Sequence, residues 1–153
     1  MKKRISAMLL SCLLLTLLLP MQALAANTQS TISRYEDGSY SVATVKRIDT
    51  AARASGTVTG ATEVEHYSAS GTLERTASLT ATFSYTGSSA RCTAVDNLSV
   101  RIFESGWSMV SKSSSKSGNT ATGNITMRYS TLTGTGNFPI TLTLSCDKNG
   151  NLS

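Results

Sequence analysis

One stretch, Leu73 to Tyr85, limits what this chain can fold into. Leu73, Arg75, Ala77, Leu79, Ala81, Phe83 and Tyr85 fall on one parity, and Glu74, Thr76, Ser78, Thr80, Thr82 and Ser84 on the other. Period-two alternation marks a strand with one buried and one wet face. Arg75 is the one charge on the apolar side, so burial is expected to begin near Ala77. Fully extended, the stretch would run about 43 Å, beyond the usual strand of roughly ten residues. A bend or a break near Arg75 is therefore expected.

Other segments repeat the pattern. Tyr40, Val42 and Thr44 alternate with Ser41, Ala43 and Val45 after an Asp37-Gly38 turn. Val58, Thr62 and Val64 share a parity, with Gly60 between them as a candidate bulge. Ser70-Gly71 then links this strand to the central one as a hairpin. Short strands are expected around Cys92, from Leu98 to Phe103, from Trp107 to Ser111, from Ala121 to Tyr129 and from Ile140 to Cys146. The Ser/Lys run from Ser111 to Asn119 has low complexity and reads as an exposed, mobile loop. Lys46 to Ala54 has no clean period and fits a loop, a frayed strand or one helical turn.

Seven or eight short strands with regular turns, and no sustained 3.6-residue period, predict an all-β antiparallel sandwich. Ser and Thr make up 43 of the 128 residues from Ala26 onward. They concentrate on the outward parity, as on a solvated sheet face, which sets the chain apart from a disordered stalk.

The first 25 residues read as a secretory signal peptide. Lys2, Lys3 and Arg4 precede an apolar run from Leu9 to Leu19, and Ala23-Leu24-Ala25 places small residues before the cleavage point. Eleven helical residues span about 17 Å, too short for a membrane anchor. Residues 26–38 are expected to form a flexible leader, and 39–153 a single sandwich domain. Cleavage removes three of fourteen basic residues. Eleven then face nine acidic ones, a net charge of about +2. The basic residues are scattered, which argues against nucleic acid as the partner. Two cysteines remain, Cys92 and Cys146. In an exported chain an even pair predicts one disulfide, worth on the order of 4 kcal/mol in the chain-entropy account.

Cys92, Trp107 and Cys146 resemble the Cys…Trp…Cys spacing of immunoglobulin domains, which implies an Ig-like sandwich architecture. Leu144 stands where that family carries a Tyr two residues before its second Cys, and three expected strands precede Cys92, so the family's strand order is not carried over. Three segments, Phe83 to Thr93, Ser117 to Gly123 and Cys146 to Ser153, cover about a fifth of the chain after cleavage. In them the chain resembles small exported proteins of unknown function from Gram-positive, gut-type bacteria. That resemblance implies no activity, ligand or site.

Chemistry-bearing residues are few. His66 is the only histidine and could act as a general base beside Glu63 or Glu65, but no nucleophile elbow accompanies it. Asp147 to Asn151 resembles the start of a calcium loop with the wrong glycine spacing, and reads as a polar turn. No metal site and no cofactor are expected. Trp107, Tyr67 and Tyr129 are the candidate ligand-binding residues. An exposed Trp107 could stack on a sugar ring, whereas its parity with Met109 favours packing against the disulfide. The reading that follows is a secreted, non-enzymatic binding protein with an extracellular or cell-surface ligand and no transmembrane anchor after cleavage. The alternatives are a membrane-active β-hairpin built on Val58 to Tyr85 and a small hydrolase using His66.

Overall fold

The computed structural model describes residues 28–48, 55–132 and 134–153. The expected signal peptide and the Asp49 to Arg53 turn lie outside these residues. Among the described residues eight antiparallel strands follow one another: β1 (Gln29–Arg34), β2 (Tyr40–Arg47), β3 (Gly56–Tyr67), β4 (Leu73–Tyr85), β5 (Ala90–Ile102), β6 (Trp107–Ser117), β7 (Thr120–Thr131) and β8 (Gly134–Ser145). They form a five-stranded sheet in the order β1-β2-β3-β4-β5 and a three-stranded sheet in the order β6-β7-β8. Every strand pairs with its sequence neighbours within its sheet. This is a meander in two layers, not the interleaved order of immunoglobulin domains.

The parity read for β4 holds from Ala77 to Tyr85, but burial begins earlier than expected, with Arg75 and Thr76 both buried. Ala77, Leu79, Ala81, Phe83 and Tyr85 are buried and join Ile125, Met127, Leu142 and Leu144 of the facing sheet in one core. The interruption expected near Arg75 is a bulge: Leu73 pairs with Tyr67 and Arg75 with His66, which leaves Glu74 as the extra residue of β4. On the other side the extra residues, Thr93 and Asp96, belong to β5. On the outer face the hydroxyls bond across strands, Thr59 to Thr82 at 3.0 Å and Ser78 to Ser99 at 2.8 Å, as cross-strand pairs on a wet sheet do.

Two glycines set the spacing of the layers. A Cβ on Gly123 of β7 would lie 2.6 Å from Leu98 Cδ1, so the absence of a side chain lets Leu98 of β5 fill that point. A Cβ on Gly60 would lie 2.2 Å from Leu152 Cδ1. Gly60 therefore marks a close approach and no bulge. Leu152 belongs to a hook, residues 146–153, that turns back through a Cys146–Leu152 bridge. Within the hook, Asp147 Oδ1 accepts from the amides of Asn149 and Asn151 at 2.8 and 2.9 Å. The calcium-like run is thus a self-satisfied turn that closes one end of the sandwich.

Three expectations are corrected. The residues read as a leader contain β1, an edge strand whose six residues are all exposed. It is held by its pairing with β2, so it has no apolar rhythm to announce it. The Ser/Lys run is the second half of β6, joined to β7 through a tight turn at Gly118-Asn119. Lys112 Nζ reaches from it to the Leu98 carbonyl at 2.9 Å, and Lys116 Nζ to that of Thr93. These bonds stitch the edge of β6 to the edge of β5. Finally, no disulfide joins Cys92 and Cys146. The Cys92 thiol donates to the Ala94 carbonyl at 3.4 Å and the Cys146 thiol to that of Asp147 at 3.3 Å. The two backbones are tied to one turn instead, Cys92 N–H to the Gly118 carbonyl at 2.8 Å and Cys146 N–H to that of Asn119 at 3.0 Å. Both side chains are buried as small apolar groups.

Two outcomes follow. In a chain beginning at Ala26, the thiols should resist a soluble disulfide reagent in the native state, helped by burial that raises the Cys92 pKa. They should titrate as two thiols once the chain is denatured without reductant; no reactive thiol after denaturation would show a bridge. Gly123→Ala should destabilise the protein by about 1–3 kcal/mol through overpacking, read as a lower urea midpoint. An unchanged midpoint would contradict the close approach of the layers.

Candidate functional site: the inter-sheet cleft

At the end away from the hook the two sheets part. Register places Ser33, Ser41, His66 and Arg75 side by side across β1, β2, β3 and β4 on the inner face. The next row inward is apolar: Ala43, Val64, Ala77 and Val100. Trp107, Tyr129, Phe138 and Ile140 of the smaller sheet lie opposite. Between them is a cleft of about 800 Å³, within the size range of small-molecule sites.

Arg75 is its most constrained member. The side chain is 91% buried and its Nη1 meets Glu74 Oε2 at 3.2 Å. Its guanidinium carbon sits 3.6 Å from the centre of the Trp107 ring, a close cation–π contact. Its Nε is buried with no hydrogen-bond partner. Burial lowers the Arg75 pKa while Glu74 raises it, and a guanidinium stays charged under such opposing effects.

His66 Nδ1 lies 2.9 Å from Ser41 Oγ, which is also 3.3 Å from the Tyr35 hydroxyl. His66 Nε2 is 3.7 Å from Glu74 Oε2. Burial, then the Arg75 charge, push the His66 pKa below its ordinary 6.5, against Glu74 and Asp37. The imidazole is therefore neutral at neutral pH. Asp37, at the cleft rim, accepts from the Ser39 hydroxyl at 2.6 Å and its amide at 2.9 Å, bonds that hold its carboxyl below the usual range.

Of the residues expected to bind a ligand, Trp107 and Tyr129 meet in the cleft with ring centres 4.7 Å apart. Phe138 adds an edge-on contact to Trp107 at 5.1 Å. Trp107 does not pack on the cysteines. It lies over Arg75, whereas Cys92 pairs with Phe83, eight residues or about 26 Å along β4. Tyr67 is elsewhere. As the residue next to His66 it lies on the opposite face of β3, where it stacks on Tyr40 at 4.9 Å and donates to Glu65 at 3.0 Å. Glu63 and Glu65 sit on the parity opposite His66, so Glu74 from the next strand is its carboxylate neighbour. Sequence reasoning missed Ser41, Glu74 and Phe138. Arg75 carried a signal, as the lone charge on an apolar parity. Among the described residues no cluster of His, Cys, Asp and Glu could hold a metal ion.

No family model matches the chain, and no curated protein matches it. Among solved structures it is similar to a hypothetical protein from Listeria monocytogenes EGD-e, with 20% identity over 82% of this chain and 91% of that one, and a TM-score of 0.48.

The His66 environment gives a pH prediction. A folded pKa below the unfolded one means that the unfolded state binds the proton first. The stability linked to His66 is complete above pH 6.5 and is lost as pH falls through its folded pKa. His66→Gln should flatten part of the decline in urea midpoint between pH 7 and pH 5. A parallel decline in both proteins would contradict the depressed pKa.

Proposed function

We propose that this chain is an exported, non-enzymatic binding protein that takes a small organic ligand in the inter-sheet cleft. The observation carrying the proposal is the cleft itself: an apolar inner row, an aromatic wall and a few convergent polar groups around a buried arginine. That combination is the usual make-up of a ligand pocket. Export rests on the pattern of Lys2 to Ala25. Trp107 is the sole tryptophan, so intrinsic fluorescence reads the cleft directly. Titration with a panel of small apolar and aromatic compounds should shift its emission saturably, and Val64→Trp, which fills the cleft, should abolish saturation by the same compounds in calorimetry. A panel without a saturable binder would count against the reading.

Ser41, His66 and Glu74 favour a second reading, a hydrolase with Ser41 as nucleophile. Two features weigh against it. Ser41 is 8% exposed, and Glu74 is shared with Arg75, which weakens its hold on the imidazole. Ester hydrolysis lost in Ser41→Ala would establish this activity; equal background rates in both proteins would remove it. The Val58 to Tyr85 hairpin is the middle of the larger sheet with its apolar parity in the core, so inserting it into a bilayer would require dismantling that core.

A further inference from the structure

We propose that the cleft takes an amphipathic monocarboxylate, with its apolar body inward on Val64, Ala77 and Ile140 and its carboxylate on the Arg75 guanidinium. This rests on the binding reading above and names its ligand class.

The first support is the unfinished bonding of Arg75. A guanidinium offers five donors along two forked edges. Nη1 is engaged by Glu74, whereas Nε is buried without an acceptor. A buried donor without an acceptor is costly, and native proteins rarely leave one unmade. The edge formed by Nε and Nη2 matches the two oxygens of a carboxylate, the bidentate pairing in which arginine excels.

The second support is the polarity gradient. The row that carries Ser41, His66 and Arg75 lies toward the open end, and the row that carries Val64 and Ala77 lies toward the core. An apolar body is stabilised only when it points inward, which leaves its polar head on the Arg75 row.

Charge narrows the class further. Among the described residues Arg75 is the one permanent cation lining the cleft, and Glu74 and Asp37 are carboxylates there. A dianion such as phosphate would meet two negative groups with one cation to hold it. An amine would meet Arg75, which already covers a face of Trp107. A single delocalised negative charge fits best. Because Nε is covered in the free protein, the guanidinium must shift on its Trp107 seat to complete the fork, so binding alters the indole environment.

The test is titration of the full chain after residue 25 with 3-phenylpropionate, with its neutral isostere 3-phenylpropionamide and with inorganic phosphate. Binding is followed by Trp107 emission and by calorimetry. The carboxylate should bind about tenfold or more tightly than the amide. Phosphate should not bind, and Arg75→Met should erase the preference for the carboxylate. Amide and carboxylate binding equally would overturn the ligand class and leave the cleft reading standing. Binding by none of the three, at millimolar concentration, would overturn the class and count against the cleft as well. Should Arg75→Met fail to fold, the comparison of acid and amide on the unaltered protein decides alone.

Discussion

The structure depends on an inequality: five strands must be covered by three. The inner faces of β3, β4 and β5 can be buried against β7 and β8, and there the core forms around Leu79, Phe83, Ile125 and Leu144. Val45 of β2 still packs against the core, whereas the inner face of β1 extends beyond what the smaller sheet covers. Apolar residues there would be an exposed liability. The chain instead places Ser33 and Ser41 on that side, next to His66 and Arg75. The cleft is the consequence of a cover that is too narrow, and its outer row is polar where its inner row is apolar.

The two ends of the sandwich solve the same problem differently. At the hook end, residues 146–153 fold back so that Leu152 seats on Gly60 and Gly150 passes beside the Tyr85 ring. A backbone turn with its own carboxylate acceptor, Asp147, does the sealing. Burial alone would raise that carboxyl's pKa, but hydrogen bonds from Asn151, Asn149 and Gly150 bring it below its ordinary value. At the other end no segment among the described residues folds in. The sheets touch there through Arg75 and Trp107, a contact that bridges the layers without filling the space between them.

Much of this was legible in the sequence because burial imposes period two. The inward residues of β4 and of the end of β8 could be read directly, since one face of β4 meets the core from Ala77 to Tyr85 and Leu142 and Leu144 of β8 lie opposite it. β1 and the second half of β6 could not be read that way. Both are exposed along their whole length, so backbone pairing defines them, and pairing leaves no apolar rhythm in Gln29 to Arg34 or Ser111 to Ser117. The compartment and the even cysteine count point to a disulfide, yet the Gly118-Asn119 turn supplies the tie between those strands by backbone hydrogen bonds. In the cleft, Arg75 could be noticed from one strand alone. Ser41 and Glu74 gain meaning only from the register that carries three strands past one another, which no local pattern encodes.

The most direct measurement is the NMR signal of the Arg75 side-chain Nε–H in the free protein. A guanidinium seated 3.6 Å from the Trp107 ring centre, with its Nε out of water, should give a proton shifted upfield by the ring and protected from exchange with solvent. That result would place the two layers as described at the open end. An Arg75 signal at the ordinary arginine position, exchanging as fast as an exposed guanidinium, would mean that the sheets do not meet there and that the cleft as described does not exist.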